Sequence, residues 1–314
     1  MTNSRFSFFD KDGSLVSENP QTLQHQAAKG QDDENQQPDQ LRYRCNQLNV
    51  TRVEDKVISH ATTKKEYLFK RKPDQPAIVG VTLTDYFYEM QPAEFTVALD
   101  AMKDLEYIKE DVQFRLNNRN EIAEVLNVEE IHNKWEVFKD KLTRTQFYND
   151  IKAKSEKGAS DLINAGNIEF KDQENLKQTY DKVMFYHILF NDFRNVSDDP
   201  SQILQFNSQI FVKIPVTVEL THNLVSEDDN QIIIHTHGEL VKDGLDENEM
   251  ENQYDFYYKP FVKYGYTQYF YAYDITRKID KQTGAITEAK ALLTEGVKNN
   301  YETTTECSLK QVKL

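Results

Sequence analysis

The sequence predicts an α+β fold: a mainly antiparallel β-sheet, curved or closed into a partial barrel, with two central α-helices and a disordered N-terminal arm. Three observations point there. From Ile210 to Leu224 every even position is apolar or aromatic, while the odd positions include Lys213, Thr217, Glu219 and Thr221; this is the period of a half-buried strand. Two stretches of helical period, 128–157 and 172–193, lie together between strand-like blocks. Eight of the 17 tyrosines fall between Tyr254 and Tyr273, and such side chains suit a pleated surface better than a helix.

In chain order, residues 1–40 form the arm. Its tip carries Phe6, Phe8 and Phe9, which either dock on a partner or pack on their own domain. Residues 14–40 are mostly Gln, Asn, Asp, Glu and Ser, too polar to offset the entropy of ordering. Asp10-Lys11-Asp12-Gly13 is not a calcium loop, because Phe8 and Asn19 stand where carboxylates are required.

An N-terminal β block spans 41–127. Residues 41–53 and 57–72 read as two strands joined tightly at Glu54-Asp55-Lys56, and Ala77–Met90 reads as a third, closed by Pro92. Phe95, Val97 and Leu99 alternate as a fourth strand, and 100–110 suits either helix or strand. Val112, Phe114 and Leu116 begin a hairpin that turns at 117–120 and returns through Ile122 and Val125.

The helical pair occupies 128–199. Asn127 is the expected N-cap, with Glu130 closing a capping box. Ile131, Trp135, Phe138 and Leu142 keep the helical period, and Gly158 is the expected stop. Leu176, Tyr180, Val183 and His187 form the stripe of the second helix.

The C-terminal β block, 200–314, opens with the long alternation. Pro215 lies on its polar face and requires an edge, bulge or bend. Residues 226–230 turn, 231–242 return, and 243–253 form an acidic loop. Pro260 and Gly265 interrupt the aromatic segment, alternation resumes at Tyr269, Asp280–Gly284 turns, and 301–312 is a last strand. Residues 41–314 suit one domain or two lobes.

Charge and motifs narrow the function. Lys and Arg number 38 against 52 Asp and Glu, a net charge of -14, which disfavours nucleic acid and anionic lipid as partners. No apolar run approaches a membrane span, and no h-region follows the start. Two cysteines, Cys45 and Cys307, far apart in sequence, read as free thiols of a reducing compartment, hence a cytoplasmic protein. No nucleotide-binding glycine motif and no nucleophile elbow is present, so no cofactor and no catalytic residue is assigned.

Two constellations remain. His235 and His237 share one strand face. If the turn pairs Asn223 with Ile233, Glu219 lies opposite His237, completing a ligand set for Zn²⁺ or Fe²⁺; the same pair also reads as two solvated strand histidines. The aromatic segment is either packing or a contact surface, with Tyr254, Tyr257, Tyr258 and Tyr264 as its binding residues. The resulting expectation is a non-catalytic protein-interaction or assembly subunit with a protein partner or a second copy of itself. The alternatives are a carrier of a small apolar ligand between curved sheet and helices, and a metal-dependent enzyme on the 219–237 hairpin.

Overall fold

The structure is a computed structural model that describes residues 39–92, 105–190 and 201–314. The strand expected at Phe95–Leu99, the arm with Phe6, Phe8 and Phe9, and the Asp198–Pro200 break lie outside these residues.

Eleven strands form one sheet. They are β1 (Gln40–Val53), β2 (Lys56–Lys72), β3 (Gln75–Gln91), β4 (Asp111–Leu116), β5 (Ile122–Val125), β6 (Ser201–Asn207), β7 (Pro215–Glu227), β8 (Gln231–Leu240), β9 (Tyr269–Asp280), β10 (Ile286–Val297) and β11 (Tyr301–Val312). Their order is β5-β4-β3-β2-β1-β11-β10-β9-β8-β7-β6. Adjacent strands run antiparallel throughout. Within the N-terminal five and within the C-terminal six, strands pair in sequence order, so β1 and β11 form the seam between two sequence-local halves. The β1–β2 connection is a two-residue turn with Glu54 and Asp55 both at positive φ, the geometry that matches strand twist.

Among the described residues there are seven helices besides a single turn at 105–108: α1 (Val128–Leu142), α2 (Gln146–Lys154), α3 (Glu156–Glu169), α4 (Gln173–Asp181), α5 (Met184–Leu189), α6 (Glu247–Tyr257) and α7 (Lys259–Val262). Two central helices is therefore too few. The stretch expected as one helix over 128–157 breaks at Thr143–Thr145, where Thr145 accepts from the Tyr148 N–H. Ser155 caps the next helix by accepting from Gly158 N–H, so Gly158 lies inside α3 rather than ending a helix. Asn127 does not cap α1 with its side chain. Its amide accepts from Gln113 N–H and donates to Asp111 C=O, tying the start of α1 to β4. The second helical stretch also divides, because Val183 is extended and the four residues Phe185–Ile188 are all buried. An embedded single turn replaces an amphipathic helix there.

The core lies on one face of the sheet. On its N-terminal half, α4 and α5 bring Tyr180, Phe185, Tyr186 and Phe190 against Tyr43, Tyr67, Phe69 and Phe114. The rings of Tyr67 and Phe185 stack at 3.8 Å. On the C-terminal half the sheet supplies its own cover by curling. Phe206 of β6 reaches Tyr271 of β9, ring centres 6.1 Å apart, though β7 and β8 lie between them in the sheet.

Two expectations for the long alternating stretch are corrected. Strand β7 starts at Pro215, and 208–214 is a loop in which Ile210, Phe211 and Ile214 are buried while Val212 is exposed. Lys213 takes positive φ there. The β7–β8 hairpin contains a register shift between Leu224 and Ser226, which pairs Asn223 with His235, Thr221 with His237 and Glu219 with Glu239. Leu224, beyond the last buried residue, is exposed.

Candidate interaction surface

The segment Tyr254–Val262 is helical, not strand. Asp246 caps α6 by accepting from Glu249 N–H, and the buried positions Met250 and Tyr254 stand one turn apart. Pro260 occupies the first turn of α7, where its missing N–H costs nothing. Lys263 ends α7 in the left-handed region, with φ 72.

This helical pair is fixed at several points. The Gln253 amide accepts from Val212 N–H at 2.8 Å and donates to Val212 C=O at 3.1 Å. Tyr258 donates its hydroxyl to Ile210 C=O and packs on Tyr301, ring centres 4.4 Å apart. Burial pushes the Tyr258 phenol up. Asn300 donates to Gly265 C=O, 2.7 Å, tying the chain after α7 to the β10–β11 turn.

The other side of this mount is apolar and open. Phe256 is 74% exposed, Tyr257 51%, Phe261 51% and Tyr264 55%, whereas Tyr254 is fully buried. Phe256 and Tyr257 meet edge to face at 4.8 Å. Glu247, Glu249 and Glu251 lie on α6, and Lys259 is paired with Asp255 at 2.6 Å. Four aromatic side chains thus stand in water on an acidic, pinned support.

Of the binding residues expected from sequence, Tyr257 and Tyr264 belong to this surface. Tyr254 and Tyr258 do not; they hold the support to the core, and Phe6, Phe8 and Phe9 lie outside the described residues. Phe256 and Phe261 were not singled out. The signal for Phe256 was the helical offset: two residues on from an inward Tyr254 it stands about 200° round the helix and must point away, whereas the period alone does not turn Tyr257, three residues on, outward.

The strand histidines meet a different carboxylate from the expected one. His235 Nε2 and His237 Nδ1 lie 3.0 and 2.9 Å from the same oxygen, Oδ1 of Asp274 on β9. Glu219 faces Glu239 across the ladder rather than His237. Among the described residues, no three His, Cys, Asp or Glu side chains are arranged to hold a metal ion.

On the core face a polar chain links α5 to β8 and β9. His222 Nδ1 and Thr236 Oγ1 are 2.9 Å apart. Arg277 donates to Thr236 Oγ1 at 3.3 Å and to Ile188 C=O at 3.2 Å. Burial, with the Arg277 charge adding to it, lowers His187 from 6.5 to about 3, so this imidazole is neutral. The network positions α5 on the sheet. A groove of about 550 Å³ between α1, α2 and α3 is lined mainly by residues of polar type, including Glu136, Lys139, Lys152 and Asn164, whose aliphatic portions share its wall.

No protein-family model matches the chain, and no curated protein matches it. Among solved structures it is similar to lipovitellin, in a structure concerned with lipid–protein interactions in that protein, with a TM-score of 0.42 and 10% identity. The likeness covers 88% of this chain and 25% of that one, so the chain spans about a quarter of lipovitellin's length. No helix among the described residues is long and apolar enough to cross a membrane.

Proposed function

We propose that this protein is a non-catalytic binding subunit that engages a protein partner through the α6–α7 aromatic surface, in the cytoplasm. The observation that carries the reading is the display of Phe256, Tyr257, Phe261 and Tyr264 on a support pinned by Gln253, Tyr254 and Tyr258. Leaving four rings hydrated forfeits burial free energy of about 25 cal/mol per Å². A fixed mount removes part of the ordering cost of association, and aromatic anchors dominate binding energy in protein interfaces. The acidic α6 flank favours a partner whose rim is basic. Directly between α5 and the sheet, the Phe185 and Tyr67 rings stack at 3.8 Å.

The test compares the natural chain with a Phe256→Ser/Phe261→Ser double variant. Tm should fall by no more than a few degrees, because Phe256 is mostly exposed and Phe261, although its ring meets those of Tyr258 and Tyr301, is half exposed. Stoichiometric capture of one protein from native extract, or concentration-dependent dimerisation, should occur with the natural chain and weaken at least about tenfold in the variant. An inert monomer that captures nothing, or equal capture by both chains, overturns the reading.

A further inference from the structure

The two cysteines lie at opposite ends of the described chain and meet in the fold. Cys45 Sγ and Cys307 Sγ are 3.5 Å apart, both buried, at a sequence separation of 262. The register sets Cys45 opposite Leu309 and Cys307 opposite Gln47, so the thiols are diagonal neighbours on the core face of β1 and β11. These strands form the seam at which the two sequence-local halves of the sheet join.

We propose that Cys45 and Cys307 are an oxidative modification site, a thiol pair that closes to a disulfide under peroxide and covalently staples the seam. This goes beyond the binding role above and is independent of it. A disulfide is about 2.05 Å long, so the sulfurs must approach by about 1.5 Å. Diagonal positions on an antiparallel pair stand about 7–8 Å apart along the backbone, so closing the gap between the sulfurs takes side-chain rotation together with a small local shift of the two strands. With only two cysteines in the chain, no other intramolecular pairing competes.

Hydrogen peroxide supplies the oxidising equivalent. One sulfur, as thiolate, attacks a peroxide oxygen; the O–O bond breaks, a sulfenic acid forms, and hydroxide leaves and takes up the proton the thiol gave. The second sulfur attacks the sulfenic sulfur; the S–O bond breaks and water leaves with the second thiol's proton. Two thiols lose two electrons and two protons, and one peroxide becomes two waters. The contact with Cys45 and burial hold the Cys307 thiol well above its ordinary value, so closure needs sustained peroxide.

The folded full chain is treated with hydrogen peroxide, then unfolded in guanidinium with excess N-ethylmaleimide, and its intact mass is measured. The expected product is about 2 Da lighter than the starting chain, carries no maleimide, and regains two reactive thiols with dithiothreitol. Before alkylation its Tm should stand several degrees above that of the reduced chain. Two alkylated thiols, after an exposure that fully oxidises the unfolded chain, overturn the proposal. So do products limited to oxygen adducts or intermolecular dimers, and a closed species whose Tm does not rise. The mass measurement uses the natural chain, so it does not depend on any variant folding.

Discussion

Ser208 donates its hydroxyl to Glu295, although three strands lie between β6 and β10 in the sheet order and 87 residues separate the pair in sequence. In a flat sheet those strands would stand about 19 Å apart. The bond therefore records how far the C-terminal half curls, and it places the loop 208–214, on which α6 is mounted.

Glu295 is fully buried, and it also accepts from Gln209 N–H at 2.8 Å and from the Tyr269 hydroxyl at 2.8 Å. Tyr269→Phe keeps the ring and deletes one donor to this buried carboxyl, with an expected loss of about 1–3 kcal/mol in urea unfolding. Burial raises the Glu295 carboxyl above 4.5, with its hydrogen bonds opposing. A carboxyl raised on folding binds more protons in the folded state. Its contribution is therefore fullest below about 4.5 and is lost as pH rises through the folded value. The stability gap between the natural chain and Glu295→Gln should favour the natural chain more at pH 5 than at pH 7. A gap that moves the other way would show that the hydrogen bonds outweigh burial.

Gly166 of α3 lies flat against the indole of Trp135 of α1, and a Cβ at that position would come within 2.2 Å of the ring. Gly166→Ala should improve helix propensity by about 1 kcal/mol and still destabilise the protein, because overpacking costs about 1–3 kcal/mol and the obstruction is a rigid ring. Trp135 also donates to Asn167 Oδ1 at 3.0 Å. It is the chain's sole tryptophan, so fluorescence reads this interface alone. The variant should show a red-shifted emission and a lower unfolding midpoint. An unshifted spectrum with a raised midpoint would mean that α1 and α3 separate without cost.

What was legible in the sequence was local. From Tyr269 to Asp280 the strand alternates buried and part-buried residues without a break, as its composition implies. The same aromatic composition misled over 254–262, where tyrosine content outweighed the turn-apart spacing of Met250 and Tyr254. Ile210 and Ile214 looked like strand because they are buried, yet a carboxylate 86 residues away from Gln209 holds their loop off the ladder. The seam between β1 and β11 leaves no local signature, so the approach of Cys45 to Cys307 could not be read at all. The exposed aromatic surface was legible as a segment but not as a face, since facing depends on whether the period is 2 or 3.6.

His187 provides a pH test of the α5 dock. Its ring lies edge-on to Phe206 and Tyr273, at 5.7 and 5.5 Å, with Arg277 beside it. Folding lowers its pKa from 6.5 to about 3. A histidine lowered on folding binds fewer protons in the folded state, so its contribution is complete above about 6.5 and is lost as pH falls from there towards 3. His187→Phe keeps an apolar ring of similar size and cannot titrate. Relative to that variant, the natural chain should lose about 1.4 kcal/mol per pH unit below 6.5, or about 2 kcal/mol by pH 5. In proton–carbon spectra of the folded natural chain, the His187 ring signals should not move between pH 8 and pH 4, and Arg277→Met should bring their midpoint upward. Parallel stability curves for the two chains, or a His187 midpoint near 6.5, would show that α5 opens to water and does not seal the polar chain beneath it.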